Sequence, residues 1–293
     1  MGVHTTQFEI RDPAHQLLDP VLSLCAEEVR SCSSGRTFSL IAGVCGPTEQ
    51  ALSEASLARQ LGYDAVLLSL SALRASDDEA LLEHCRRIGE IIPLIGFYLQ
   101  PAIGGRTYGL DFWRGFAELE SAVAVKIAPF NRYATLEVVR AIAESGREDL
   151  ALYTGNDDSI LLDLLTPFPW GTPPRRIVGG LLGQWAVGTR SAVHLLAEVK
   201  DNVRSASEWA ALNARLTDFN AALFDPSHGF AGCIAGIQEW LRRQGLLPSR
   251  VCLDPREELS PGQSEEIDRV MNAYPEWQDS AFIASHLDHW LDS

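Results

Sequence analysis

The chain has 293 residues, is 46% hydrophobic and carries a formal net charge of −15. That length can bury a large core, as one large domain or two smaller ones. The acidic balance argues against nucleic acid, whose phosphates need basic patches. No apolar run reaches the roughly 18 residues of a membrane span. The N-terminal MGVHTTQFEIRD lacks the basic and apolar regions of a secretion signal. A cytoplasmic protein that engages neither membrane nor nucleic acid is expected. Cys25, Cys32, Cys45, Cys85, Cys233 and Cys252 are scattered without a CxxC pair, so reduced and mostly buried thiols are expected.

From residue 38 a unit repeats: a short β-branched run, a loop, then an amphipathic helix. FSLIAGVC (38–45) is a strand, and Gly46-Pro47-Thr48 opens a helix with Ala51, Leu52, Ala55 and Ala58 on one face, ended by Gly62. DAVLLSL (64–70) is the next strand. Ser76-Asp77-Asp78-Glu79 then caps a helix that runs to about Ile91. LIGFYL (94–99) precedes a Gly-rich loop and a helix near 110–119. AVAVKIA (122–128) precedes a helix near 134–145, LALYTGN (150–156) one near 157–165, and RIVGGLL (176–182) one near 185–200.

The strands are continuous apolar runs, the pattern of a sheet covered on both faces. Alternation with helices means a parallel sheet, open and doubly wound or closed as a barrel. No GxGxxG follows the first strand, which disfavours a dinucleotide fold. In a barrel, the strand ends carrying Tyr98, Lys126, Thr154-Gly155-Asn156 and Gly179-Gly180 converge at the C-terminal face. Beyond residue 200 the pattern becomes helical, over 206–224, 230–245, 264–274 and 280–291, broken by Pro and Gly. Residues 1–200 are therefore read as the barrel and 201–293 as a helical region packed on it.

Lys126 and Lys200 are the only lysines in the chain, and Lys126 stands in the middle of an apolar strand. Burial of a charged amine is costly. It lowers the pKa, so the neutral amine can attack a carbonyl and form an imine. The competing reading is a lysine that reaches the strand end and pairs with a carboxylate. Tyr98, 28 residues earlier, could serve as general acid and base, or could simply pack.

Four motifs in order carry a family resemblance: GFYLQP with Tyr98 and Pro101, VAVKIA with Lys126, YTGNDD (153–158), and IVGGLLGQWA (177–186). Together they resemble the dihydrodipicolinate synthase / N-acetylneuraminate lyase family. The resemblance implies an α/β fold, a TIM (β/α)8-type barrel, with a C-terminal helical extension. GVHTTQFE (2–9) resembles the loop that follows the family's second strand. The match thus lacks the first strand–helix unit and most of the second strand. Six strands and a remnant do not close an eight-stranded barrel: the chain is a short version of a longer protein, or its start at Met1 is misplaced, or a partner chain fills the gap. For a chain that is really this short, exposed sheet edges and poor or absent activity are expected.

For the site, the resemblance implies Lys126 as the imine-forming nucleophile and Tyr98 as proton shuttle. Thr5 and Thr6 would serve as relay and carboxylate-binding groups, and Thr154, Gly155, Asn156, Gly179 and Gly180 would line the substrate pocket. Where synthase members carry a carboxylate-clamping arginine this chain has Ile103, and Arg106 three residues on is the candidate to replace it. Ile127 replaces a common Glu, which implies a reshaped pocket. The activity implied is that of a lyase, aldolase or dehydratase acting on a 2-keto acid such as pyruvate or a related carbonyl compound, with no cofactor beyond the covalent imine through Lys126. A homo-oligomer, dimer or tetramer, is the expected assembly. A metal-dependent aldolase would draw on His4 with Asp157 or Asp158, but that pair of aspartates reads better as a helix start, so no metal is expected. The remaining alternative is a catalytically silent relative that binds a ligand or partner.

Overall fold

The computed structural model describes residues 8–32 and 37–291. Thr5 and Thr6, like His4, lie outside the described residues. In chain order the elements are α1 (Leu18–Ser31), β1 (Ile41–Val44), α2 (Thr48–Gln60), β2 (Ala65–Leu68), α3 (Asp78–Gly89), β3 (Leu94–Leu99), α4 (Leu110–Ala117), β4 (Ala122–Ala128), α5 (Arg132–Glu144), β5 (Ala151–Thr154), α6 (Ile160–Leu165) and β6 (Gly179–Gly180). Then follow α7 (Thr189–Asp201), α8 (Ala206–Phe224), α9 (Cys233–Arg243), α10 (Gln263–Ala273), α11 (Ser280–Ala284) and α12 (Leu287–Leu291). All six strands read from the sequence are present, in the linear order β1-β2-β3-β4-β5-β6. The pairings β1–β2, β2–β3 and β3–β4 are parallel. This is the α/β architecture expected, with six strands in sheet order among the described residues. Helix α1 is an addition: Pro20 sits in its first turn, where a missing N–H is harmless, and Leu22 and Ala26, one turn apart, are its buried residues. The last helical run, 280–291, is broken into α11 and α12.

The chain divides into two compact units, and the division passes through β5. The first holds the described residues through Tyr153 together with Pro167–Val178. The second holds Thr154–Thr166 and the described residues from Gly179 on.

In the first unit, local signals set the element ends. Gly62 takes the positive φ of 76° that stops α2. Asp77 caps α3 by accepting from the Ala80 N–H at 2.8 Å, and Asn131 caps α5 by accepting from the Tyr133 N–H at 2.9 Å. Arg11 and Glu54 form a buried pair, Arg11 Nε to Glu54 Oε1 at 2.7 Å. Arg11 also donates to the Gly43 carbonyl of β1 at 3.1 Å, and the Cys45 N–H donates to Glu54 at 3.1 Å. Arg147 donates to the carbonyls of Ala117, Leu119 and Ala122 at 3.0, 3.1 and 2.8 Å, which joins the end of α4 to the start of β4.

The two faces of this sheet bury different side chains. On one, Leu67, Ile95, Phe97, Ala124 and Ala128 form an apolar cluster, with Tyr153 packed against it. On the other, Tyr98 meets Trp113 of α4 at 5.4 Å between ring centroids. A Cβ on Gly96 would come within 2.8 Å of the Phe116 ring, so only glycine lets α4 lie this close to β3.

In the second unit, α8 opens with a capping box, Ser205 with Glu208. Its Asn213 Oδ1 accepts from the Leu161 N–H at 3.1 Å, capping α6, while Asn220 donates to the Asp157 carbonyl at 2.7 Å. The Phe219 ring meets Trp240 of α9 at 4.9 Å. No described helix is long and apolar enough to cross a membrane.

Candidate active site

Lys126 is the fifth residue of β4. Parallel pairing sets it opposite Phe97 of β3, and its Nζ lies 4.4 Å from the centroid of the Phe97 ring. Strand alternation turns Lys126 to the same side as Ala124 and Ala128, the side of the apolar cluster. The side chain is partly buried. An amine is thus presented from mid-strand onto an apolar surface, with an aromatic face beneath its nitrogen that favours positive charge there.

Tyr98 does not share that side. It pairs with Ile127, one step along β4 from Lys126, and a one-residue step reverses side-chain direction. Its ring is 1% exposed and packs between Tyr108 and Trp113, 5.3 and 5.4 Å away. Its hydroxyl accepts from the Tyr108 N–H at 3.2 Å. Burial raises the Tyr98 pKa above its ordinary value. The phenol therefore anchors the loop between β3 and α4, and the pairing of Tyr98 with Lys126 expected from the sequence is not formed. Phe97 holds the position beside the lysine.

Arg106 belongs to that same loop, and its guanidinium is engaged. It donates to Asp78 Oδ1 and to the Ser76 carbonyl, both at 2.6 Å, and lies 5.0 Å over the Tyr108 ring. A guanidinium held by a carboxylate, a carbonyl and an aromatic face is a loop tether rather than the waiting carboxylate clamp expected of it.

The strand-end residues Thr154 and Asn156 of the second unit are hydrogen-bonded to Asp163. Thr154 Oγ1 donates to Asp163 Oδ2 at 2.6 Å and Asn156 Nδ2 donates to the same oxygen at 3.0 Å. The Asn156 N–H donates to Thr154 Oγ1 at 3.1 Å. Thr154 and Asp163 are fully buried and Asn156 is 3% exposed. These side chains fix the turn around Gly155 onto α6, and a buried acid needs such partners. Asp163 escaped the sequence reading, although a lone acid inside the apolar run LLDLL was a signal for it. At Gly180 the open space expected for substrate is filled: an added Cβ would lie 2.9 Å from the Trp185 ring. Among the described residues, no group of His, Cys, Asp and Glu is placed to hold a metal ion.

A parallel α/β sheet with a strand-borne lysine facing an apolar cluster defines the structural class, and comparison with known proteins makes it specific. No family model matches the chain. It is 31% identical over 129 residues to a 4-hydroxy-tetrahydrodipicolinate synthase of Cyanothece sp., a match covering 43% of this chain and 42% of that protein. It is also 31% identical over 121 residues, 41% of this chain and 40% of the relative, to the enzyme of the same name from Acaryochloris marina. The match therefore spans less than half the length of these curated relatives. Among solved structures, a monomeric dihydrodipicolinate synthase variant superposes with a TM-score of 0.71 at 20% identity, over 88% of this chain and 79% of that one. The Acinetobacter baumannii dihydrodipicolinate synthase complexed with pyruvate gives 0.70 at 19% identity, over 89% and 82%. The fold is that of the dihydrodipicolinate synthases, and the family resemblance read from the motifs is borne out.

Proposed function

We propose that the chain is a Schiff-base-forming enzyme of the lyase, aldolase or dehydratase type, acting on a 2-keto acid or related carbonyl substrate. The observation that carries this reading is the placement of Lys126, mid-strand on an apolar face with its Nζ 4.4 Å over Phe97. The neutral amine is the form that attacks a carbonyl carbon. The Phe97 face then favours the cationic imine that follows. A protonated imine withdraws electrons from the adjacent carbon, so that a proton or a carbon–carbon bond there can be released or made. The curated relatives are named 4-hydroxy-tetrahydrodipicolinate synthases, and one fold neighbour was solved in complex with pyruvate. Both fit a pyruvate-like substrate.

The test is reductive trapping. Borohydride added with pyruvate, and with a panel of other 2-keto acids, should leave a reduced adduct on the peptide carrying Lys126, read by mass spectrometry. Absence of any adduct across the panel overturns the reading. It would leave the second one, a ligand-binding relative without turnover, which the engagement of Arg106 by Asp78 and Ser76 favours.

A further inference from the structure

The geometry points to Tyr153 as the proton-transfer group that works with Lys126, an assignment that rests on the Schiff-base reading above. Tyr98 turns away from the amine, so imine chemistry on this face needs another acid and base. Tyr153 lies on β5, next to the lysine-bearing β4 in the sheet. It is partly buried and packs against the apolar cluster that contains Ala124 and Ala128. Those two residues flank Lys126 on its own side of β4, because side chains repeat every second residue. The neighbours of Tyr153 along β5, Leu152 and Thr154, are fully buried, and alternation turns them to the other side. Adjacent strands thus carry a phenol and an amine toward one face. Tyr98 differs on every count: it is buried on the opposite face, and its hydroxyl is committed to the Tyr108 backbone.

The steps balance with the phenol as the only side-chain proton carrier besides the amine itself. The Lys126 nitrogen bonds to the substrate carbonyl carbon, the C=O π pair moves to oxygen, and a nitrogen proton passes to that oxygen. The C–O bond of this carbinolamine then breaks, the nitrogen lone pair closes the imine, and the Tyr153 proton joins the departing hydroxide as water. The resulting phenolate takes a proton from the carbon next to the imine. That yields the enamine and restores the phenol. Overall, amine and keto acid become enamine and water.

The experiment follows exchange of the methyl protons of pyruvate for deuterium in heavy water, beside borohydride trapping, for the native chain and for Tyr153→Phe. The substitution keeps the ring that packs on the cluster, and equal thermal melting checks the fold. Tyr153→Phe is expected to slow exchange about 10²-fold or more, while adduct on Lys126 still accumulates at long incubation. A Tyr153→Phe protein that melts normally and exchanges at the native rate, in a native chain that does form the adduct, overturns the Tyr153 assignment and leaves the imine intact. A native chain that forms no adduct overturns both together. Should Tyr153→Phe melt early, Tyr153→Met with added phenol supplies the second variant: recovery of exchange by phenol supports the role, and no recovery with an intact fold overturns it.

Discussion

Phe97, and not Tyr98, is the residue that stands beside Lys126: the two are paired across β3 and β4, with the Lys126 nitrogen 4.4 Å from the ring centroid. Tyr98 is one residue further along the strand and therefore on the other face. Its consequences separate two kinds of residue, those that hold the loops and those that face the amine.

Tyr98→Phe tests the first kind. The substitution removes the acceptor of the buried Tyr108 N–H, which costs about 1–3 kcal/mol. Denaturant unfolding should show that loss. Borohydride adduct formed per folded molecule should stay close to the native level. A large fall in adduct with unchanged stability would mean that the phenol reaches the reaction.

Lys126→Met tests the second. The methionine keeps the length and removes the amine, so no reducible adduct should form with any keto acid. Melting temperature measured beside the trapping separates loss of the amine from loss of the fold. A strongly destabilised Lys126→Met protein would point to a structural role for the lysine.

The pair of Arg11 and Glu54 is predicted to be the most sensitive ionic contact of the first unit. Their side chains are 10% and 6% exposed. Arg11→Met would leave the Glu54 carboxylate buried with only neutral donors, Gln50 Nε2 at 2.8 Å and the Cys45 N–H at 3.1 Å. A loss of about 3–5 kcal/mol in denaturant unfolding is expected, against little change for Arg86→Met, whose contact with Glu83 is exposed.

Acid should unfold the protein in two windows. The His84 pKa is lowered from 6.5 to about 4, chiefly by burial and then by the Arg87 charge. The folded value lies below the unfolded one, so the stabilisation is complete above pH 6.5 and is lost as pH falls through 4. The Glu239 carboxyl is lowered from 4.5 to about 2, first by its hydrogen bond from Arg242. Its contribution is complete above pH 4.5 and is lost as pH falls toward 2. Melting temperature measured against pH should fall through both ranges, and His84→Leu should flatten the upper one while leaving the lower.

The alternation of apolar runs and helices was sufficient to place all six strands, because strand and helix periods are properties of a few neighbouring residues. The caps at Asp77 and Asn131 work over three residues and are local in the same way. Lys126 was legible for a related reason: a lysine inside an unbroken apolar strand is unusual whatever surrounds it. The direction of Tyr98 was not legible. It depends on the register of β3 against β4, which shifts at Leu94 and Ile95, and a shift of one residue exchanges the two faces. The commitment of Arg106 to Asp78 and Ser76, and of Thr154 and Asn156 to Asp163, was hidden likewise, since each bond joins parts of the chain whose meeting depends on how helices and loops pack. Composition and period determined which strands exist and which carries the amine. Sheet register and loop packing, which come from contacts distant in sequence, decided that Phe97 and the side of Tyr153 face it, and that Tyr98 does not.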